Sequence, residues 1–157
     1  MNEGLETTLE LVEASRIENL VCEEVKEEEA KELMPFVEEM IKFCISKGGV
    51  GLAAPQVGLN KRIIVWYAND VFNIGFNPEY YPENTKKTNT VEQCMSYPDE
   101  EYFLFRNKYI RAVYKSLSPS GKFVTIKKKM SAEDAVVFAH ETDHTKGITI
   151  KMIGKKL

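Results

Sequence analysis

The chain is short of several things, and each shortage narrows what it can be. Its 157 residues contain only two histidines, His140 and His144. Its cysteines are few and odd in number, Cys22, Cys44 and Cys94, which argues against a disulfide framework and for a reducing compartment. No apolar run approaches the roughly 20 residues needed to cross a bilayer. The opening stretch MNEGLETTLELVEASRIENL is acidic, without the basic start and apolar centre of a secretory signal. No excess of positive charge points to nucleic acid, since the formal net charge is −3. The run Lys127, Lys128 and Lys129 reads as a solvated surface turn. No internal repeat or low-complexity linker is present, and the length suits one domain with one core.

The apolar residues give an outline. Leu33, Phe36, Val37, Met40, Ile41 and Cys44 recur at spacings of three and four, which predicts an amphipathic helix ending at Gly48 and Gly49. Pro35 requires that helix either to start nearby or to bend there. Cys44 continues the apolar stripe and reads as a buried structural thiol. KRIIVWY predicts a strand, and FNIGFNPEY a second one broken at Asn77-Pro78. YPENTKKTN reads as a polar loop, and TVEQCMSYP as a strand end entering a turn. KYIRAVYKSL and KFVTIKK predict two strands joined by the turn SPSG. Ser131 followed by Asp134 predicts a capping box opening a last helix, which Gly147 can close. The fold class expected is α+β: mostly antiparallel strands packed around a C-terminal helix, with a helix near the N-terminus.

Both histidines fall in FAHETDHTKG, four residues apart. On a helix, residues i and i+4 share a face, so the two imidazoles can grip one cation. Glu141, about 100° round the helix from His140, can reach a water on that cation without ligating it. The competing reading is a polar helix face with two surface histidines. It is disfavoured because the histidines occur nowhere else. A catalytic site of this kind needs a third protein ligand. The residues after His144, TKGITIKMIGKKL, include no His, Cys, Asp or Glu. The third ligand must therefore lie upstream, as a thiolate or a carboxylate, and a metallopeptidase with a downstream ligand is demoted. Cys94, set between polar neighbours in EQCMSYP, is the best candidate. A Cys-His-His set suits Fe²⁺, Co²⁺, Ni²⁺ or Zn²⁺.

Three stretches resemble the peptide deformylases. GVGLAAPQ (residues 49–56) is similar to that family's first motif at every fixed position, EQCMS (92–96) to its second with one change, and HETDH (140–144) to its third. The resemblance covers about residues 27–150 of a chain expected to form a single domain over 1–157. The resemblance implies a metal-dependent hydrolase that removes the formyl group from the N-terminal formylmethionine of new polypeptides, in a bacterial-type cytosol, with the ribosome as a further partner. It implies Fe²⁺, with Zn²⁺, Ni²⁺ or Co²⁺ able to substitute. Cys94, His140 and His144 would hold the metal, and Glu141 would act as general base and then acid. The Gln56 amide and the Met95 backbone N–H would face the formyl oxygen. Val50 and Gly51 would pair with an extended peptide, and Val136 and Val137 would line the methionine slot while also serving as helix core. Glu92 and Arg106 would be ion-paired behind the ligand loop, and Asp143 would support the site without ligating.

Some positions depart from the family pattern. Gln93 stands where the second motif has glycine, and either strains the loop or narrows the cleft and adds a donor. Glu101 replaces a common arginine near the peptide's path, and Thr145 a common leucine. The chain runs 13 residues past His144, so a long C-terminal helix is expected to be short or absent. Residues 1–26 match the family poorly. A non-catalytic module that holds formylated N-termini is the alternative that Gln93 keeps open.

Overall fold

A computed structural model describes residues 7–157; the start of the acidic N-terminal stretch, residues 1–6, lies outside the described residues. Two helices and eight strands form the frame. Helix α1 spans Glu27–Ser46. Strands β1 (Gly51–Ala53), β2 (Ile63–Ala68), β3 (Val71–Pro82), β4 (Lys87–Cys94), β5 (Tyr97–Asn107), β6 (Tyr109–Leu117) and β7 (Phe123–Ser131) follow. Helix α2 is Ala132–Thr145, and a single turn α3 (Ile150–Ile153) leads to the short strand β8 (Lys155–Lys156). One sheet has the order β1-β2-β3-β6-β7, the other β4-β5-β8. Every pairing between named strands is antiparallel, as an α+β fold requires.

The run IIVW in β2 explains why the five-stranded sheet is covered on both sides. Ile63 and Val65 pack into one cluster with Val37, Met40 and Phe43 of α1. Ile64 and Trp66 point the other way, into a second cluster with Ala135 and Phe138 of α2. A strand buried on both faces needs apolar residues at consecutive positions, not alternate ones. Trp66 meets both Tyr114 and Phe138 edge-on, at 5.1 Å between centroids. That contact fixes α2 over the centre of the sheet.

Several sequence-based expectations are corrected. α1 begins eight residues before Pro35 and continues through it. The backbone N–H of Lys26 donates to Glu29 Oε1 at 2.9 Å, and this starts the helix ahead of the proline. Packing along the apolar face outweighs the one backbone bond that Pro35 cannot make. β3 is not broken at Asn77-Pro78. A bulge lies between Phe76 and Glu79, and Asn77 adopts φ 53° there. The Asn77 side chain accepts from Val25 N and donates to Val25 O, both at 2.8 Å. Of the polar stretch after it only Glu83 to Lys86 is loop, because Tyr81 and Pro82 still belong to β3 and Lys87 already belongs to β4. The lysine run lies in β7, not in a turn. Strand β5 was not read from the sequence, although Tyr102, Leu104 and Arg106 alternate inward along it. Ser131 does cap α2, but its side chain makes no capping bond.

The N-terminal segment is tied to the end of α2. Asn19 N donates to Gly147 O at 2.8 Å and Cys22 N to Thr145 O at 2.9 Å. Gly147 sits at φ 77°, and a Cβ there would lie 2.5 Å from Leu20 N. Only glycine satisfies both the left-handed turn and the close approach.

Trp66→Ala is expected to cost about 3–5 kcal/mol, seen as a lowered urea midpoint with an unchanged slope.

Candidate metal centre

The geometry grows from two elements. α2 presents His140 and His144 on one face, their ring centroids 4.9 Å apart and the rings near perpendicular at 86°. The β4–β5 hairpin brings Cys94 up to them, so that Cys94 Sγ lies 3.5 Å from His144 Nε2. The ligand atoms of Cys94, His140 and His144 all fall within 4.8 Å of one another, and all three residues are buried. Donors at about 2.3 Å and about 2.1 Å from a common ion, at a tetrahedral angle, stand about 3.6 Å apart. The sulfur–nitrogen separation fits that figure. A thiolate with two imidazoles is a soft-to-borderline set, so the residues fit a divalent metal ion.

Each imidazole is oriented from behind. His140 Nδ1 is 2.9 Å from Glu92 Oε1, which turns Nε2 toward Cys94 and His144. Glu92 in turn receives Arg106 Nε at 2.7 Å and an Arg106 terminal nitrogen at 2.9 Å, together with the Thr90 hydroxyl at 2.5 Å. The other terminal nitrogen of Arg106 reaches Asp143 Oδ2 at 3.0 Å, and the Tyr80 hydroxyl donates to Asp143 Oδ1 at 2.6 Å. Asp143 therefore points away from the centre, and Glu92 and Arg106 form the ion pair expected. Tyr80 and Thr90 were not singled out in the sequence. Tyr80 meets Asp143 only once β3 and α2 have packed, whereas Thr90 reaches Glu92 two positions along the same strand, where alternation puts both on one face.

Charge is balanced inside this network. Burial pushes Glu92 up, but hydrogen bonds from His140 and Arg106 outweigh it and hold the carboxyl at about 2. Burial opposes a charge on His140, yet its bonds to Cys94 and Glu92 lift it to about 10. His144 moves the other way, well down, because burial and the charge on His140 both disfavour its protonation. Tyr80 is raised by burial and by the Asp143 charge.

Glu141 occupies a different position. Its Oε1 is buried without a hydrogen-bond partner and lies 3.9 Å from His144 Nε2. Burial pushes its carboxyl up to about 7. Its other oxygen packs on Gly51, where an added Cβ would stand 2.6 Å away. Gly51 is thus a glycine because the carboxylate passes over it. Gln56 is also buried. Its Oε1 accepts from Ala53 N at 3.0 Å, and its Nε2 donates to Ser96 Oγ at 3.0 Å and approaches Cys94 Sγ at 3.6 Å. Ser96 is a further residue the sequence did not single out.

These groups open on a cleft of about 700 Å³. Val50, Gly51, Gln56, Cys94, Met95, Val136, Val137, His140 and Glu141 all line it. His144 lies beneath, with no exposed surface. One wall is the free edge of β1 and the other is β4. Gln93 is outside the left-handed region, so it does not strain the loop. Its amide donates to Glu101 Oε2 at 3.2 Å on the rim.

Such a centre puts the molecule among metal-dependent hydrolases whose ligands are shared between one helix and a separate hairpin. Comparison with known proteins narrows this further. The family model for polypeptide deformylase matches residues 13–156. Peptide deformylase 1 of Clostridium acetobutylicum is 36% identical over 120 residues, covering 75% of this chain and 75% of that protein. A peptide deformylase of Fusobacterium nucleatum is 35% identical over 138 residues, covering 80% of this chain and 76% of its own. The crystal structure of peptide deformylase from Thermotoga maritima superposes with a TM-score of 0.82 at 27% identity, covering 94% of this chain and 98% of that one. This chain belongs to the polypeptide deformylase family.

Two outcomes are expected here. Cys94→Ser should lower bound metal well below one equivalent by elemental analysis, and metal uptake by the wild type should release protons and strengthen as pH rises. Arg106→Leu should cost about 3–5 kcal/mol, because it strands two buried carboxylates. Glu92 has a depressed pKa, so its contribution is complete above the ordinary carboxyl value of about 4.3 and is lost as pH falls toward about 2. Acid unfolding of the Arg106 variant should therefore move to higher pH.

Proposed function

We propose that this chain hydrolyses the formyl amide at the N-terminus of formylmethionyl nascent polypeptides, releasing formate and a free amine. The observation that carries this reading is the buried Cys94, His140 and His144 cluster with an unpartnered Glu141 carboxylate beside it, at the floor of an open cleft. When bound, a divalent metal, natively Fe²⁺ with Zn²⁺, Ni²⁺ or Co²⁺ as substitutes, acidifies a water and polarises the formyl carbonyl.

The chain's own residues do the rest. Glu141 Oε1 takes the proton of the attacking water and delivers it to the departing amine nitrogen, a task suited to a carboxyl raised toward neutrality. Gln56 Nε2 and the Met95 backbone N–H face the formyl oxygen as it gains charge, and one such donor is worth about 3 kcal/mol. The peptide lies extended along Val50 and Gly51, adding to the free edge of β1. Val136 and Val137 supply an apolar wall for the methionine side chain. Glu92, Arg106 and Asp143 orient the ligands. We place the reaction in a single catalytic domain in the cytosol, on chains emerging from the ribosome. No helix among the described residues is long and apolar enough to cross a membrane.

A formate-release assay on formyl-Met-Ala-Ser, with metal-replete protein under anaerobic conditions, tests the reading. Formate is expected, and its absence overturns the proposal. Glu141→Gln should retain metal while kcat falls by about 10²–10⁴-fold. Undiminished turnover in that variant would remove the acid–base role.

A further inference from the structure

The net charge of −3 hides a strong separation of charge. From Asn107 to Ala132 there is no Asp or Glu, against Lys108, Arg111, Lys115, Lys122 and the run Lys127 to Lys129. This stretch is the β6–β7 ribbon. Residues directly opposite in an antiparallel pair share a face. Ile110, Ala112 and Tyr114 of β6 pack toward α2, so Arg111, Val113 and Lys115 face away from it. Arg111 pairs with Lys129 and Val113 with Lys127, which gathers Arg111, Lys127 and Lys129 on one open side. Lys127 and Lys129 are two strand positions apart, about 6.6 Å. Arg111 reaches Glu83 at 3.3 Å, while Lys127 and Lys129 are exposed and make no ion pair among the described residues.

Like charges set directly opposite across a sheet are destabilising. Glu83 offsets one charge of the set, and Lys127 and Lys129 on the same face still repel each other and Arg111 in the protein alone. Beside it lies a groove of about 590 Å³ whose lining includes Lys86, Asn84, Tyr109, Lys129 and Ser131, with Glu83 as its one carboxylate. Tyr81, paired with Arg111, is 54% exposed. A row of cations with neighbouring tyrosines and a polar groove suits a phosphodiester backbone with bases able to stack. It lacks the broad apolar surface that insertion into a bilayer uses. The catalytic cleft opens elsewhere, with Asp99, Glu101 and Glu133 among its lining. A polyanion would be repelled there and attracted to the ribbon.

We propose that the Arg111, Lys127 and Lys129 face of β6–β7, with Lys86 in the adjoining groove, binds the phosphate backbone of RNA and leaves the cleft free. The choice of RNA rests on the reading of the substrate as a nascent chain, whose surroundings are RNA. The probe is a fluorescein-labelled 20-nucleotide RNA, titrated with intact metal-loaded protein and followed by anisotropy. Four phosphates neutralised by Arg111, Lys127, Lys129 and Lys86 give a log–log salt slope of about −2.8 for a single strand. Affinity should therefore fall about 50-fold between 50 and 200 mM salt. Lys127→Gln/Lys129→Gln should weaken binding at least tenfold and flatten the slope by about 1.4. Its formate release on formyl-Met-Ala-Ser should be unchanged and its Tm equal or higher, because a repulsion is removed. The control Lys42→Gln/Lys155→Gln should bind like the wild type. Absence of RNA binding at 50 mM salt, equal loss in the control, or capture by phosphatidylserine vesicles without RNA binding would each overturn the proposal. RNA binding is read independently of catalysis, so failure here and failure to release formate are separate results.

Discussion

Arg106 is the charge on which the site is built. A buried guanidinium is costly unless it is fully paired, and here it is gripped by Glu92 from β4 and Asp143 from α2. That one side chain joins the hairpin to the helix. Glu92 passes the constraint on to His140, and the hairpin carries Cys94 within reach of His144. The three donors meet because a charge behind them has to be neutralised. The penalty for removing any one partner falls on the others, which gives the centre its rigidity.

The cleft depends on a second constraint, a contest for space. Glu141 lies over Gly51, so the edge strand and the carboxylate are fitted to each other. The same edge remains unpaired on its outer side, where a peptide can add without disturbing the sheet. Gln56 is fixed at one end by Ala53 N and at the other by Ser96, so its amide nitrogen is held beside the sulfur. The proposed chemistry uses groups whose rotamers are already fixed, and little ordering remains to be done when a substrate arrives.

Electrostatics divide the surface. The cleft rim carries carboxylates, while the β6–β7 ribbon carries lysines and one arginine. Composition averages the two into a mild negative number. The strands undo that averaging, because alternation sends every second residue of β6 to the same side, and cross-strand pairing then aligns it with the basic positions of β7.

Much of this was legible in the residues. The spacing in HETDH put both histidines on one helical face, and the lack of any later ligand forced the third donor upstream. The stripe from Leu33 to Cys44 marked α1 as amphipathic, and the run in β2 marked a strand. Other features were hidden. Pro35 suggested a helix start or a bend, and the start lies eight residues earlier, at Glu27. Asn77-Pro78 suggested a strand end where a bulge let β3 continue. Strand β5 escaped notice because its outward positions are a mixture of charged and aromatic residues. By itself the sequence determined which side chains were able to ligate and that α1, β2 and α2 form, because those follow from spacing along one element. Only the tertiary structure decided that Cys94 meets His144, that Tyr80 braces Asp143, and that the lysines share a face with Arg111. Each of those is a contact between residues far apart in the chain, and it exists only once two sheets and a helix have packed.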